Sequence, residues 1–342
     1  MSRTSIIAAS FALAACGGGG GGGGGGSSTS SGSSTSIAPV SITSANMQDV
    51  SAQGYSATTT LNSQVSGSTS SFVTGVTVDT ASAGLLGVTM QELYRALNAQ
   101  NSANQVVGVT ISETDSCTGG GSITVNGNVA STSTLSAGDS LTLTASGCKE
   151  SGYTLNGVLS ITFKSLTGVP GESSSWSGVF TVGYTNFSVS SGTSSDTASA
   201  TGNITLSIKQ TSFGAATFSI SGSSLTVNST HNGSTSALTL SNLNYGASLT
   251  SGVYTYNTNY ALSGTLGKLG NASFTVKTLT DFKQTAAGFP TQGVLQITAA
   301  DKSSVTLTAI DNINVKLDLD KNGDGVTDET VNTTWSALQS RL

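Results

Sequence analysis

The residues best placed to do chemistry lie near the C-terminus. From Asp318 to Glu329 the chain reads Asp-Leu-Asp-Lys-Asn-Gly-Asp-Gly-Val-Thr-Asp-Glu, which puts five of its 17 acidic residues in twelve positions. The spacing fits Asp-x-Asp-x-Asn-Gly-x5-Glu, the calcium loop of an EF-hand. Ca2+ is a hard cation that takes about six to eight oxygens, and alternate side chains around a tight glycine turn can converge on it. In that register Asp318, Asp320, Asn322, the carbonyl of Asp324 and a bidentate Glu329 are the ligands. A shifted register is equally legible: Asp320, Asn322, Asp324, the carbonyl of Val326 and Asp328. The flanks do not suit an EF-hand, because Ile313, Val315, Leu317 and Leu319 alternate as a strand does. Asn322-Gly323 and Asp324-Gly325 are hairpin turn signals. The expectation is a hairpin with an acidic, edge-protecting tip, and calcium there as a weak structural ion.

Catalytic arrangements are poor elsewhere. His231 is the only histidine, set in the turn-like Asn228-Ser-Thr-His-Asn-Gly233. No Gly-x-Ser-x-Gly elbow supports a Ser–His–acid triad. No His/Cys cluster suggests zinc, and aromatic residues, at 6%, are too few to stack sugars in a glycosidase cleft. The chain is expected not to be an enzyme.

Three cysteines are present. Cys16 follows an apolar segment that begins behind Arg3 and ends in Leu13-Ala14-Ala15, and the glycine run Gly17–Gly26 comes after it. Ser5–Ala15 is too short to span a bilayer, which needs roughly 20 apolar residues, and has the length of a signal h-region. Small residues before the cysteine mark a lipobox. The expected division is a lipoprotein signal peptide over 1–15, the lipidated Cys16 with a Gly/Ser/Thr tether over 16–36, and an extracytoplasmic body over 37–342. Acyl chains on Cys16 would be the membrane contact; one saturated chain anchors marginally and two or more stably. The tether is a flexible coil with about 25 Å of reach. Gly17 in place of an aspartate resembles the sorting signal for the outer membrane of diderm bacteria.

The remaining cysteines, Cys117 and Cys148, form an even pair in an oxidising compartment, which implies a disulfide. If the two alternating runs between them, Ser122–Val125 and Ser140–Ala145, pair as a hairpin, both cysteines fall at its open end. Closing a loop of about 30 residues should stabilise by roughly 3–4 kcal/mol.

Composition and pattern bound the rest. Charged residues make up 8% of the chain, against a typical ~25%. With Arg3 removed, the other 11 of the 12 basic residues face 17 acidic ones, a net charge of −6. That excludes nucleic acid, which needs clustered Lys and Arg. Apolar residues alternate through short runs such as Phe72–Val78, Leu155–Phe163, Phe218–Ile220, Leu225–Val227, Leu238–Leu240 and Val315–Leu319, parted by Gly, Ser and Asn. One-sided strands of this kind build antiparallel sheets. The predicted fold is all-β, a large antiparallel curled sheet or sandwich. One short amphipathic helix is expected over Met90–Asn98, opened by the capping box Thr89-x-x-Glu92. Ser188–Ser199 is the best internal break, and it reads equally as a long hairpin tip. Tyr254–Tyr260, rich in Asn, is expected at a tip that contacts partners. A transmembrane β-barrel would need aromatic girdles that the composition does not supply.

Taken together, Cys16–Gly26, the Cys117–Cys148 hairpin with Ala137-Gly138-Asp139, and the Asp318–Asp328 hairpin leading to Thr333-Thr334-Trp335 resemble a loosely defined group of poly-Gly-tethered proteobacterial lipoproteins. The resemblance implies location and architecture and no activity. Two readings follow. One is a tethered surface or periplasm-facing module working through its sheet face and loops. The other is a carrier that holds a lipid or another hydrophobic ligand inside the curled sheet.

Overall fold

A computed structural model describes residues 40–62, 107–131, 135–150, 153–168, 175–191, 197–212, 214–231, 234–285 and 288–341. Cys16, the tether, the run Phe72–Val78 and the helix expected over Met90–Asn98 lie outside the described residues.

The strands are β1 (Val107–Ser116), β2 (Ser122–Ser131), β3 (Ser140–Glu150), β4 (Tyr153–Thr167), β5 (Trp176–Ser191), β6 (Thr197–Ser212) and β7 (Ala215–His231). They continue with β8 (Ser234–Thr250), β9 (Val253–Thr265), β10 (Asn271–Thr285), β11 (Gln292–Ala299), β12 (Ser304–Ala309), β13 (Asn314–Asp320) and β14 (Glu329–Thr334). All 14 lie in one antiparallel sheet in strict sequence order, with β1 and β14 as its edges among the described residues. The all-β antiparallel architecture read from alternation is therefore the architecture found. Among the described residues two α-helices accompany it, α1 (Met47–Asn62) and α2 (Trp335–Gln339), and neither was expected from the sequence.

Strands of 15–17 residues, such as β4 to β8, are long for a one-sided sheet, and an unbroken twist would carry their ends off a common core. A band of bulges solves this. Extra residues interrupt the register at Ser146-Gly147 in β3, at Thr185-Asn186 in β5, at Gly222-Ser223 in β7 against β6, at Asn242-Leu243 in β8 against β9, and between Lys277 and Phe282 in β10. Bulges bend a strand and sharpen its twist, so a row of them lets the sheet curl. Gly157, at φ +94°, lies where a Cβ would sit 2.2 Å from the carbonyl oxygen of Asn186, so only glycine fits beneath that bulge. The bulges also reset which residues face inward. In β7 Phe218 and Ile220 are buried and then Leu225 and Val227; in β8 Leu238 and Leu240 are followed by Leu243 and Tyr245. The runs Phe218–Ile220 and Leu225–Val227 thus belong to one strand.

The stretch Ser188–Ser199 is a hairpin end, with Ser190 opposite Thr197. Tyr254–Tyr260 is no tip: it lies within β9, with Tyr254, Tyr256 and Tyr260 buried and Asn257 and Asn259 outward. Between β2 and β3 the Ala-Gly-Asp motif has a concrete role. Asp139 is buried, and its carboxylate accepts from the backbone N–H of Ala130 at 2.8 Å and of Ser136 at 2.7 Å. A buried carboxylate survives only with such donors, and here they fix the turn.

Helix α1 is why the C-terminal part of the sheet has a filled interior. It lies against β9, β11, β12 and β13. From Val50 to Ser56 every residue is buried, including the polar Ser51, Gln53 and Ser56. The search for a single apolar stripe fails on such a segment, because it has no solvent face to set the period. Gly54 permits the close approach: a Cβ there would sit 2.4 Å from Cδ1 of Ile297 on β11.

Candidate functional site

Helix α1 packs against β9, β11, β12 and β13 and against α2. At its start, Thr43 N–H donates to Asn46 Oδ1 at 2.8 Å, and Asn46 Nδ2 donates to the carbonyl of Ser41 at 2.9 Å. This strap is tied to two turns of the sheet. Ile42 N–H donates to Ser303 Oγ at 2.8 Å, and Ser303 Oγ donates to Asp301 at 2.6 Å, between β11 and β12. The Ser44 hydroxyl donates to Glu329 at the start of β14. Farther on, Asp49 pairs with Arg341 at 3.0 Å.

Midway along α1, Tyr55 meets an aromatic cluster. The Tyr55 ring lies 4.3 Å from Trp335 and 5.7 Å from Phe282, centroid to centroid. Phe282 stacks on Tyr256 at 5.3 Å, and Trp335 stacks on Phe289 at 5.7 Å. Tyr260 Oη donates to the carbonyl of Gly54 at 2.8 Å, and the hydroxyls of Tyr55 and Tyr256 face each other at 3.4 Å. Burial pushes the Tyr55, Tyr245 and Tyr256 hydroxyls well up from the ordinary tyrosine range. Burial of this kind disfavours the charged phenolate.

The residues singled out from the sequence are placed as follows. Cys117, after β1, and Cys148, on β3, form a disulfide with Cα atoms 5.4 Å apart. It lies at the open end of the β2–β3 hairpin, where Ser122 faces Ser146. His231 ends β7 opposite Ser234. The Asp-rich segment is the β13–β14 hairpin, and its residues do not act together. Asp318 belongs to β13, paired with Lys316 at 2.7 Å and accepting from Thr330 Oγ1 at 2.7 Å. Glu329 is held by Ser44 and by Lys321 at 3.1 Å. Within the tip, Asp320 accepts backbone N–H groups from Gly323 at 2.7 Å and Gly325 at 2.8 Å. Asn322 and Asp324 bond each other and the next turn, and Asp328 accepts from Lys321 N–H at 2.7 Å. Among the described residues no three His, Cys, Asp or Glu side chains gather as metal ligands. The tip's carboxylates accept from its own N–H groups, which closes the turn.

The carboxylates do make this end of the molecule acid-sensitive. Hydrogen bonds from the Ser303 and Ser41 hydroxyls hold Asp301 below the usual carboxylate range. The Ser44 hydroxyl, then the Lys321 ammonium, lower Glu329, and the Asn314 amide lowers Asp311. Partial desolvation raises Asp320, but the backbone donors of Gly325, Gly323 and Asn322 outweigh it and leave it lowered. A carboxyl whose folded pKa lies below its unfolded value stabilises the fold above that unfolded value, about 4. The contribution fades as pH falls through the folded pKa. We expect backbone amides of the strap, Ile42 first, to gain hydrogen-exchange rate on acidification below about pH 4, before the amides of the central strands do. A strap that opens only together with those strands would contradict this.

The bulge band makes a second feature. On the outward face of β6, β7 and β8 it leaves a shallow recess of about 480 Å3. Sequence reasoning missed it because it depends on two bulges falling side by side on neighbouring strands. Its only signal is the inward–outward reset at Gly222-Ser223 and Asn242-Leu243.

Comparison with protein-family models, with curated proteins and with solved structures finds no match.

Proposed function

We propose that this chain is a bacterial lipoprotein held at the outer membrane by acyl chains on Cys16, and that its body is a non-enzymatic binding or structural module facing the periplasm or the cell surface. The lipobox and the Gly/Ser tether support the anchor. The observation that carries the module reading over the carrier reading is the position of α1. A hydrophobic ligand would take the sheet's apolar face, and over β9 to β13 that face is packed against the chain's own helix. Its tyrosine hydroxyls answer the helix backbone and one another. A carrier of lipid would need α1 to leave, at the cost of the buried contacts of Met47, Val50 and Tyr55. The Ser/Thr/Asn-rich outward face and the loops are then the working surfaces.

Two measurements test the proposal. Growth of the bacterium with an alkyne-tagged fatty acid should label the chain and leave the Cys16→Ala variant unlabelled. Native mass spectrometry of the body released from its membrane should give a bare mass. A stoichiometric adduct of lipid mass would transfer the assignment to the carrier, and labelling that survives Cys16→Ala would remove the anchor.

A further inference from the structure

Three strands carry the recess on the outward face, and its chemistry is uniform. The side chains of Asn203 on β6, Ser221 and Ser223 on β7, and Asn242 and Asn244 on β8 line it. Ile204 and Leu243, whose side chains turn into the core, contribute its floor. None of the nine lining residues is charged. Among the described residues no hydrogen bond occupies the side chains of those three asparagines and two serines. Asn242 stands at φ +53°, in the left-handed region, and so keeps the bulge open with an outward amide. Asn259 on β9, directly opposite Asn244, continues the row.

A ligand that fits must be neutral, since the recess has nothing to balance a charge. It must also present donors and acceptors together, because each amide supplies both and each hydroxyl does too. The volume falls within the roughly 300–1,000 Å3 of small-molecule sites. Sugar rings meet these conditions. Their hydroxyls are paired donors and acceptors on an uncharged frame. We propose that the recess over β6, β7 and β8 is a binding site for neutral oligosaccharides. This deepens the binding-module reading by naming a ligand class, and it stands or falls independently of the lipid anchor.

The test uses the full chain extracted in a detergent without a sugar headgroup, with maltotetraose, cellotetraose and chitotetraose as probes at millimolar concentration. Saturation-transfer NMR should show at least one of them bound. The Asn203→Ala/Asn244→Ala variant, altered only in exposed side chains, should unfold at the parent temperature and bind that probe about tenfold more weakly, as expected for two lost hydrogen bonds. Asn242→Gly, which keeps the left-handed backbone and deletes the amide, should also weaken binding. No transfer from any of the three probes, or transfer undiminished in the double variant, overturns the site. A chain that takes up the fatty-acid label and ignores all three sugars overturns the recess alone. A chain that binds a sugar and takes up no label overturns the anchor alone.

Discussion

Replacing Trp335 with alanine should lower the stability of the body by about 3–5 kcal/mol, the range for deleting a large buried aromatic side chain. Trp335 is 1% exposed, caps the aromatic cluster between Tyr55 and Phe289, and donates from Nε1 to the carbonyl of Asp311 at 3.0 Å. Its backbone N–H also donates to the carbonyl of Ile313, so one residue joins α1, the β12–β13 turn and α2. Alanine removes the ring from all of these at once. Trp335→Phe keeps ring packing and loses the indole donor, so its loss should be much smaller, about 1–2 kcal/mol. Urea titration checks both. The chain has two tryptophans, so in either variant Trp176, whose indole bonds Gln210 at 3.1 Å, reports separately on β5 and β6. An alanine variant within 1 kcal/mol of the parent would show that α1 is not held through this cluster.

The second large effect is at the other edge of the sheet. Cys117→Ser/Cys148→Ser should cost about 3.5 kcal/mol, from the entropy of an unfolded loop no longer closed across a sequence separation of 31. The strand order explains why the bond matters here. β1 is an edge, paired only with β2 among the described residues, and its turn is pinned by Gly119 N–H to the carbonyl of Lys149 at 2.9 Å and by Lys149 N–H to the carbonyl of Gly120 at 2.8 Å. The disulfide holds that turn against β3. Calorimetry on the double variant, and on the parent under reductant, should show matching losses, on the order of 10 °C. Proteolysis should begin near the β1–β2 turn. Equal melting temperatures with and without the bond would contradict it.

How legible this molecule is in its sequence follows from the range of the interactions. Strand identity is local: one-sided alternation marks Leu155–Phe163 or Val315–Leu319 directly, and the cysteine pair and the β13–β14 turn sit beside their own signals. Curvature is only half local. The reset between Leu240 and Leu243 looks like a break between strands until neighbours are paired and it becomes a bulge. Helix α1 is the least legible element. Gly54 and the threonines Thr58–Thr60 lower its intrinsic propensity, and burial on many sides erases its stripe. Its reasons for being helical lie in Ile297, Tyr260 and Trp335, far along the chain. The acidic tip is legible as a turn. Its spacing matches a calcium loop, but the same residues close the turn by accepting N–H groups, and spacing alone does not separate the two uses. The outward recess has no one-dimensional signature, being a product of three strands side by side.

The strand order also sets a timetable for the chain. Each strand finds its partner in the next segment to appear, so a polypeptide emerging N-terminus first can add one hairpin after another as it arrives. Helix α1 cannot follow that schedule. Gly54 waits for Tyr260, 206 residues later, and Ile42 waits for Ser303, 261 residues later. The first described segment to emerge is thus among the last to be buried. Until β9 to β13 arrive, Met47, Val50 and Tyr55 lack the surfaces that bury them.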